Sequence, residues 1–176
     1  ALNTAYGTPM YWLSDSRGLI IKTIIDRRGP APTDNTTPSG PILQENLGIV
    51  SPARTYQDLL SSPYDEDLFD HYMTSQVLHV NLEGKIKKVG KPGVIKRAEP
   101  SPDGKFILME TIHRPYSYLV PLYRFPTLVE IYDINGRLVE SLRDIPLAET
   151  ISIGRDAVIE GPRSFGWRSD VGSTIY

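Results

Sequence analysis

Two kinds of segment alternate along the chain, and each occurs more than once. The first is a short polar turn followed by a run rich in Ile, Leu, Phe and Thr: "YWLSDSRGLIIKTII" from Tyr11, "KRAEPSPDGKFILMETI" from Lys96, and "FGWRSDVGSTIY" from Phe165. Aligned on Asp15, Asp103 and Asp170, the residues three before are Trp12, Pro100 and Trp167, and those one before are Ser14, Pro102 and Ser169. An Asp at this place bonds the amides of the turn, and Gly18, Gly104 and Gly172 are expected to supply positive φ. The runs 18–25 and 105–112 read as strands, and their near-continuous apolarity predicts burial on both faces.

The second segment is a hairpin. "VLHVNLEGKIKKV" (77–89) and "VEIYDINGRLVES" (129–141) superpose Gly84 on Gly136, each predicting a strand, a two-residue turn and a returning strand. Asn135-Gly136 is the stronger turn signal, since both central residues of a type I′ turn need φ > 0. The order turn–strand, hairpin, turn–strand, hairpin, turn–strand puts about four strands in each period. That predicts an all-β fold: a partial β-propeller of about two four-stranded antiparallel blades, with a third beginning at Phe165, and residues 1–176 forming a fragment of one propeller domain. A β-sandwich is the competing architecture. Two blades cannot close a ring of four to eight, so the edges are expected to be covered by further blades or by self-association with another copy.

The two periods differ in length because each carries an insertion. Asp15 and Gly84 lie about twice as far apart as Asp103 and Gly136, which assigns residues 27–75 to a loop and helical insertion in the first blade. Its start, "RRGPAPTDNTTPSGP", has no apolar period and reads as loop. In "SSPYDEDLFDHYMTS", Ser62 is placed to cap, Pro63 suits the first helical position, and acids crowd the first turn. Tyr64, Leu68, Phe69, Tyr72 and Met73 then fall on one helical face, and 56–60 reads as a preceding helical turn. The second insertion, "HRPYSYLVPLYRFP" (113–126), combines three prolines with four aromatic rings and two arginines, a composition suited to a contact surface on a loop.

Charge and chemistry narrow the partners. Lys plus Arg number 19 against 21 acidic residues, giving no footprint for nucleic acid or an anionic membrane. No apolar run approaches bilayer length, so a soluble chain is expected, and the absence of cysteine leaves the compartment open. The sequence begins at Ala1 rather than Met and reads as a piece of a longer protein. No Gly-x-Ser-x-Gly nucleophile elbow, phosphate-binding glycine loop or calcium loop occurs; Asn35-Thr36-Thr37 fits a glycosylation sequon. Of the three histidines, His71 shares a helix face with Asp67, His79 reads as a packed strand residue, and His113 opens the second insertion. No cofactor, metal or catalytic residue is expected within the chain.

The stretches "PARTYQDLLSSPYDEDLFDHYMTSQ", "SPDGKFILMETIHRPYSYLVPLYRFP", "IYDINGRLV" and "GPRSFGWRSD" together resemble the propeller region of glutamyl endopeptidase-like serine peptidases in the prolyl oligopeptidase family. That resemblance implies a partner outside the chain, a C-terminal α/β-hydrolase domain bearing the Ser, Asp and His. It implies a scaffold and substrate filter over the active site here, and a secreted, periplasmic or organellar parent. For a peptide substrate cleaved after Glu, an arginine offers a bidentate, charge-assisted pair to the side-chain carboxylate. Arg114 and Arg124 are the leading candidates, Arg54 and Arg163 stand behind them, and Tyr116, Tyr118 and His113 complete the candidate substrate-binding surface. A TolB-like propeller that binds a partner, with no peptidase domain attached, is the alternative.

Overall fold

A computed structural model describes residues 1–34, 56–151 and 157–176. The strands are β1 (Met10–Trp12), β2 (Gly18–Ile24), β3 (Thr74–Asn81), β4 (Ile86–Pro100), β5 (Phe106–Ile112), β6 (Thr127–Asp133) and β7 (Leu138–Ile145); one helix, α1 (Pro63–Met73), precedes β3. Every strand pairs antiparallel with the next in sequence, so the order is β1-β2-β3-β4-β5-β6-β7 in a single curled sheet. The all-β, partial-propeller architecture therefore holds, and β4 shows how its two units meet. Residues 86–94 of this 15-residue strand pair with β3, and residues 94–100 pair with β5. One strand closes the first four-stranded unit and opens the second.

Pro92 sits inside β4, where a missing amide proton would normally break a ladder. The register slips there, between the Ser75↔Gly93 and Val77↔Val89 pairs, which is the signature of a bulge. Buried Gln76 fills the gap: its side-chain amide donates to the Val77 and Val89 carbonyls at 3.0 and 3.1 Å. An unpaired buried carbonyl costs roughly 1–3 kcal/mol, so a glutamine is the residue type such a bulge needs.

The repeated turns share their backbone bonds. Leu13 N–H donates to Gly18 O and Ser101 N–H to Phe106 O; Ser16 N–H donates to Leu13 O and Gly104 N–H to Ser101 O. The left-handed residue in the first turn is Ser16 (φ 57), aligned with Gly104 (φ 68), whereas Gly18 and Gly172 do not adopt positive φ. Gly18 is small for another reason: a Cβ there would lie 2.9 Å from the His79 ring and 3.0 Å from Val80 O. The third turn is one residue wider, with Arg168 N–H donating to Thr174 O and Trp167 bridging Ile175.

The hairpins also differ in detail from the two-residue expectation. Only the glycine is left-handed in each, Gly84 at φ 77 and Gly136 at φ 89. Gly84 N–H donates to Asn81 O and Gly136 N–H to Asp133 O, a three-residue turn closed by a glycine bulge. Asn81 and Asp133, the aligned residues at each turn's entry, accept from the amides of Lys85 and Arg137.

Two cores hold the sheet. The first gathers Leu13, Ile20, Val77, Val89, Ile107 and Met109 among others, and the second Val94, Ile112, Val120 and Phe125, which lie beneath α1. β5 is buried on both faces as predicted, but β2 alternates, and its third inward position is a lysine. Lys22 is 2% exposed; its ammonium donates to Ile95 O at 3.1 Å and to Tyr6 O, and burial lowers its pKa. The predicted helix forms, with Ser62 Oγ accepting from Asp65 N–H and Pro63 at its start. Phe69 and Met73 face the second core, while Tyr72 turns outward under Arg28. Residues 56–60 are not helical, and Asp58 adopts φ 56. Of the first insertion's loop, residues 35–41 lie outside the described residues, as does the sequon.

The second and third repeated turns touch. Asp103 N–H donates to Gly172 O at 3.1 Å, and Ser173 Oγ donates to the Asp103 carboxylate at 2.7 Å. Desolvation raises the Asp103 pKa, but hydrogen bonds from Ser101, Ser173 and Lys105 outweigh it and bring it from 3.8 to about 2. A depressed carboxylate stabilises the fold fully above its unfolded value, and that contribution is lost as pH falls through the folded one. Acidification from pH 4 to pH 2 is therefore expected to loosen the last turn, read as a change in Trp167 emission. Asp103→Asn should remove that acid step; an unaltered step in the variant would dissociate it from Asp103.

Candidate functional site

The second insertion is anchored at its base by His113 N–H donating to Pro126 O. Inside it, buried Ser117 donates to Glu149 at 2.6 Å and accepts from the Leu119 amide, which folds the proline-rich segment back on itself. Residues Leu122–Arg124 form a 3-10 turn. Tyr116 stacks on Phe125 with centroids 5.3 Å apart and meets the edge of Phe69 from α1 at 5.0 Å. Its hydroxyl donates to Asp70; burial first, and that carboxylate second, push its pKa well above the ordinary tyrosine value. Tyr116 is thus a protonated donor across the neutral range.

Arg114 lies beside it, over the Tyr116 ring at 5.0 Å, and reaches three carboxylates of α1: Glu66, Asp67 at 3.4 Å and Asp70 at 2.8 Å. The hydrogen bond to Asp70 leads the causes that raise its pKa. The guanidinium is half exposed, so each such pair contributes only about 0.2–1 kcal/mol. The aromatic pairs of Tyr116 add about 0.5–1.5 kcal/mol each beyond their buried area. Packing therefore holds α1 on the insertion, and the ion pairs set its orientation. Tyr118, 39% exposed, stands at the same acidic face near Glu66. His113 points the other way, its ring 2.9 Å from Asp144 on β7. Burial lowers the His113 pKa, but the bonds to Asp144 and the Arg114 carbonyl outweigh it, and the net shift is upward.

Arg124 occupies a different place. One guanidinium nitrogen donates to Ala148 O at 3.1 Å and Ile151 O at 2.6 Å. Arg124 also lines a cavity of about 370 Å³ with Tyr123, Val158, Ile159 and Arg163. Arg163 also borders a second cavity, of about 460 Å³, whose wall carries Lys96, Arg97 and Glu110. Glu110 is buried and paired with Lys96 at 2.8 Å and with Arg97, which also pairs with Glu99 at 3.3 Å. The five candidates thus divide. Arg114, Tyr116 and Tyr118 assemble against α1, His113 pairs with β7, and Arg124 joins Arg163 at a cationic cavity. Arg54 lies outside the described residues.

Glu66, Asp67 and Asp70 were missed as partners of Arg114 in reading the sequence. The available signal was the spacing i, i+1, i+4, which puts three acids on one helical face with no Lys or Arg at i+4 to neutralise them. No group of His, Cys, Asp or Glu suited to a metal occurs among the described residues.

Comparison with known proteins gives two relatives of the same kind. The chain is 43% identical over 166 residues to a probable glutamyl endopeptidase, chloroplastic, of Oryza sativa subsp. japonica, covering 94% of this chain and 18% of that protein. It is 44% identical over 166 residues to the protein of the same name from Arabidopsis thaliana, covering 94% of this chain and 17% of that one. The chain thus spans less than a fifth of the length of the curated relatives it matches, and the resemblance to glutamyl endopeptidases read from its motifs holds along nearly all of it. No family model matches the chain, and no solved structure matches it.

Proposed function

We propose that the chain is a non-catalytic propeller segment of a serine-type endopeptidase, acting as scaffold and substrate filter for a hydrolase domain elsewhere in the parent protein. The observation that carries this reading is the similarity of 94% of the chain to one region of glutamyl endopeptidases. The family reading as prolyl oligopeptidase-like rests on the motifs quoted above and on the repeated turn–strand units. The names of both relatives favour an organellar parent among the compartments considered.

Within the filter, Arg124 and Arg163 line one cavity together, and a peptide carboxylate is a ligand their chemistry suits. Arg114 already meets three carboxylates of its own chain and serves to fix α1. The expected result for purified residues 1–176, free of contaminating protease, is no cleavage of a Glu-containing peptide that the full-length parent hydrolyses. Cleavage by the isolated chain would overturn the non-catalytic assignment. A parent that is also inactive would favour the TolB-like binding module.

A further inference from the structure

The third repeat shows how one unit seats on the one before it. Trp167, three residues before Asp170, donates its indole N–H to Glu99 O at 3.1 Å, and Glu99 lies four residues before Asp103. Arg97 donates to Phe165 O at 2.6 Å in the same junction, and the two turns meet through Asp103 and Gly172. The indole of one repeat thus lands on the strand that leads into the preceding repeat's Asp turn.

Trp12 holds the same position, three residues before Asp15. It lies on β1, at the outer edge of the sheet, where no strand among the described residues pairs with the other flank. Trp12 is 57% exposed and Met10, two residues away on the same face, 42%, while Tyr11 between them turns to the core. Repeat two cannot use this seat, because its equivalent residue is Pro100. The first repeat carries an indole donor and an apolar face with no counterpart to receive them.

We propose that Trp12 and the outer face of β1 seat a further copy of the strand–turn unit, in the same way that Trp167 seats on β4. The occupant is a segment of the parent chain outside residues 1–176, an extended strand leading into an Asp turn, whose backbone carbonyl four residues before that Asp accepts the Trp12 indole N–H. Two observations support this occupant: the same junction is already formed once between repeats, and the matched relatives are more than five times as long as the region they share with this chain. The inference is independent of peptidase activity and holds equally for a propeller with no hydrolase attached.

Hydroxyl-radical footprinting of the unmodified full-length parent tests it without any variant that could misfold. Trp12 is expected to oxidise no faster than Trp167 in the same molecule. In a second arm, a photo-reactive benzoylphenylalanine replaces Trp12, and the crosslinked peptide is sequenced. An intramolecular crosslink to a strand ending in an Asp turn supports the proposal. Oxidation of Trp12 well above Trp167, a crosslink between two copies, or a crosslink to a segment without that turn would each overturn it.

Discussion

Gly136→Ala is expected to destabilise the chain by about 2–5 kcal/mol, and the equivalent change Gly84→Ala by only about 1–2 kcal/mol. Both glycines are left-handed, at φ 89 and φ 77, and forcing an L-residue into that region costs roughly 1–2 kcal/mol in either turn. What separates them is the neighbourhood. A Cβ on Gly136 would drive into the Lys88 carbonyl and lie 3.2 Å from Val89 Cα, whereas a Cβ on Gly84 would meet nothing within 4 Å. Overpacking of this kind adds about 1–3 kcal/mol, because the obstacle is strand backbone that cannot swing aside. Denaturant midpoints at constant m-value would read the difference. Equal shifts at the two glycines would contradict the seating of the second hairpin turn on β4, and with it the close union of the two four-stranded units.

These two glycines also show where the sequence was legible. Their alignment was visible because a turn is a local object: the glycine, the Asn or Asp three residues before it and the flanking β-branched residues all lie within a dozen positions. The turn type was not legible. Asn135-Gly136 suits a type I′ turn, but Asp133 accepts from the amides of both Asn135 and Arg137, and that bonding favours the longer loop with one left-handed residue. Ser16 likewise takes a conformation expected of a glycine, since the side chain of Asp15 accepts from the Arg17 amide and holds the turn.

Long-range features were less accessible. The continuity of β4 through Pro92 depends on Gln76, a residue from another strand whose amide satisfies the carbonyls at the bulge. Nothing local to Pro92-Gly93 announces it. The candidate site divided for the same reason. Arg114 and Arg124 are indistinguishable in composition and lie ten residues apart, yet one meets a helix more than forty residues earlier and the other meets carbonyls from the segment after β7. Tertiary placement, and not residue type, decides which guanidinium holds a helix and which lines a cavity.

The cavity beside Arg124 carries the functional consequence. A guanidinium at the wall of a cavity discriminates a carboxylate from its isosteric amide, because the amide supplies neither the charge nor the second acceptor of a bidentate pair. Arg124 is fixed by the Ala148 and Ile151 carbonyls, so it meets a ligand pre-oriented and loses little rotamer freedom on binding. Arg163, bonded to Ile159 O at 3.2 Å, borders the same cavity. Loss of packing around Arg124 would slow cleavage of every peptide alike, whereas loss of a carboxylate partner acts on one substrate of a matched pair.

The most direct measurement is therefore kcat/KM of the full-length parent and its Arg124→Ala variant on two peptides that differ only in Glu or Gln at the cleavage position, with Arg163→Ala as a companion. A filter that reads the carboxylate through this cavity predicts a loss on the Glu peptide at least tenfold greater than on the Gln peptide, about 1.4 kcal/mol of transition-state binding. An unchanged Glu to Gln ratio in both variants would contradict that role and leave the two arginines as structural residues of the scaffold.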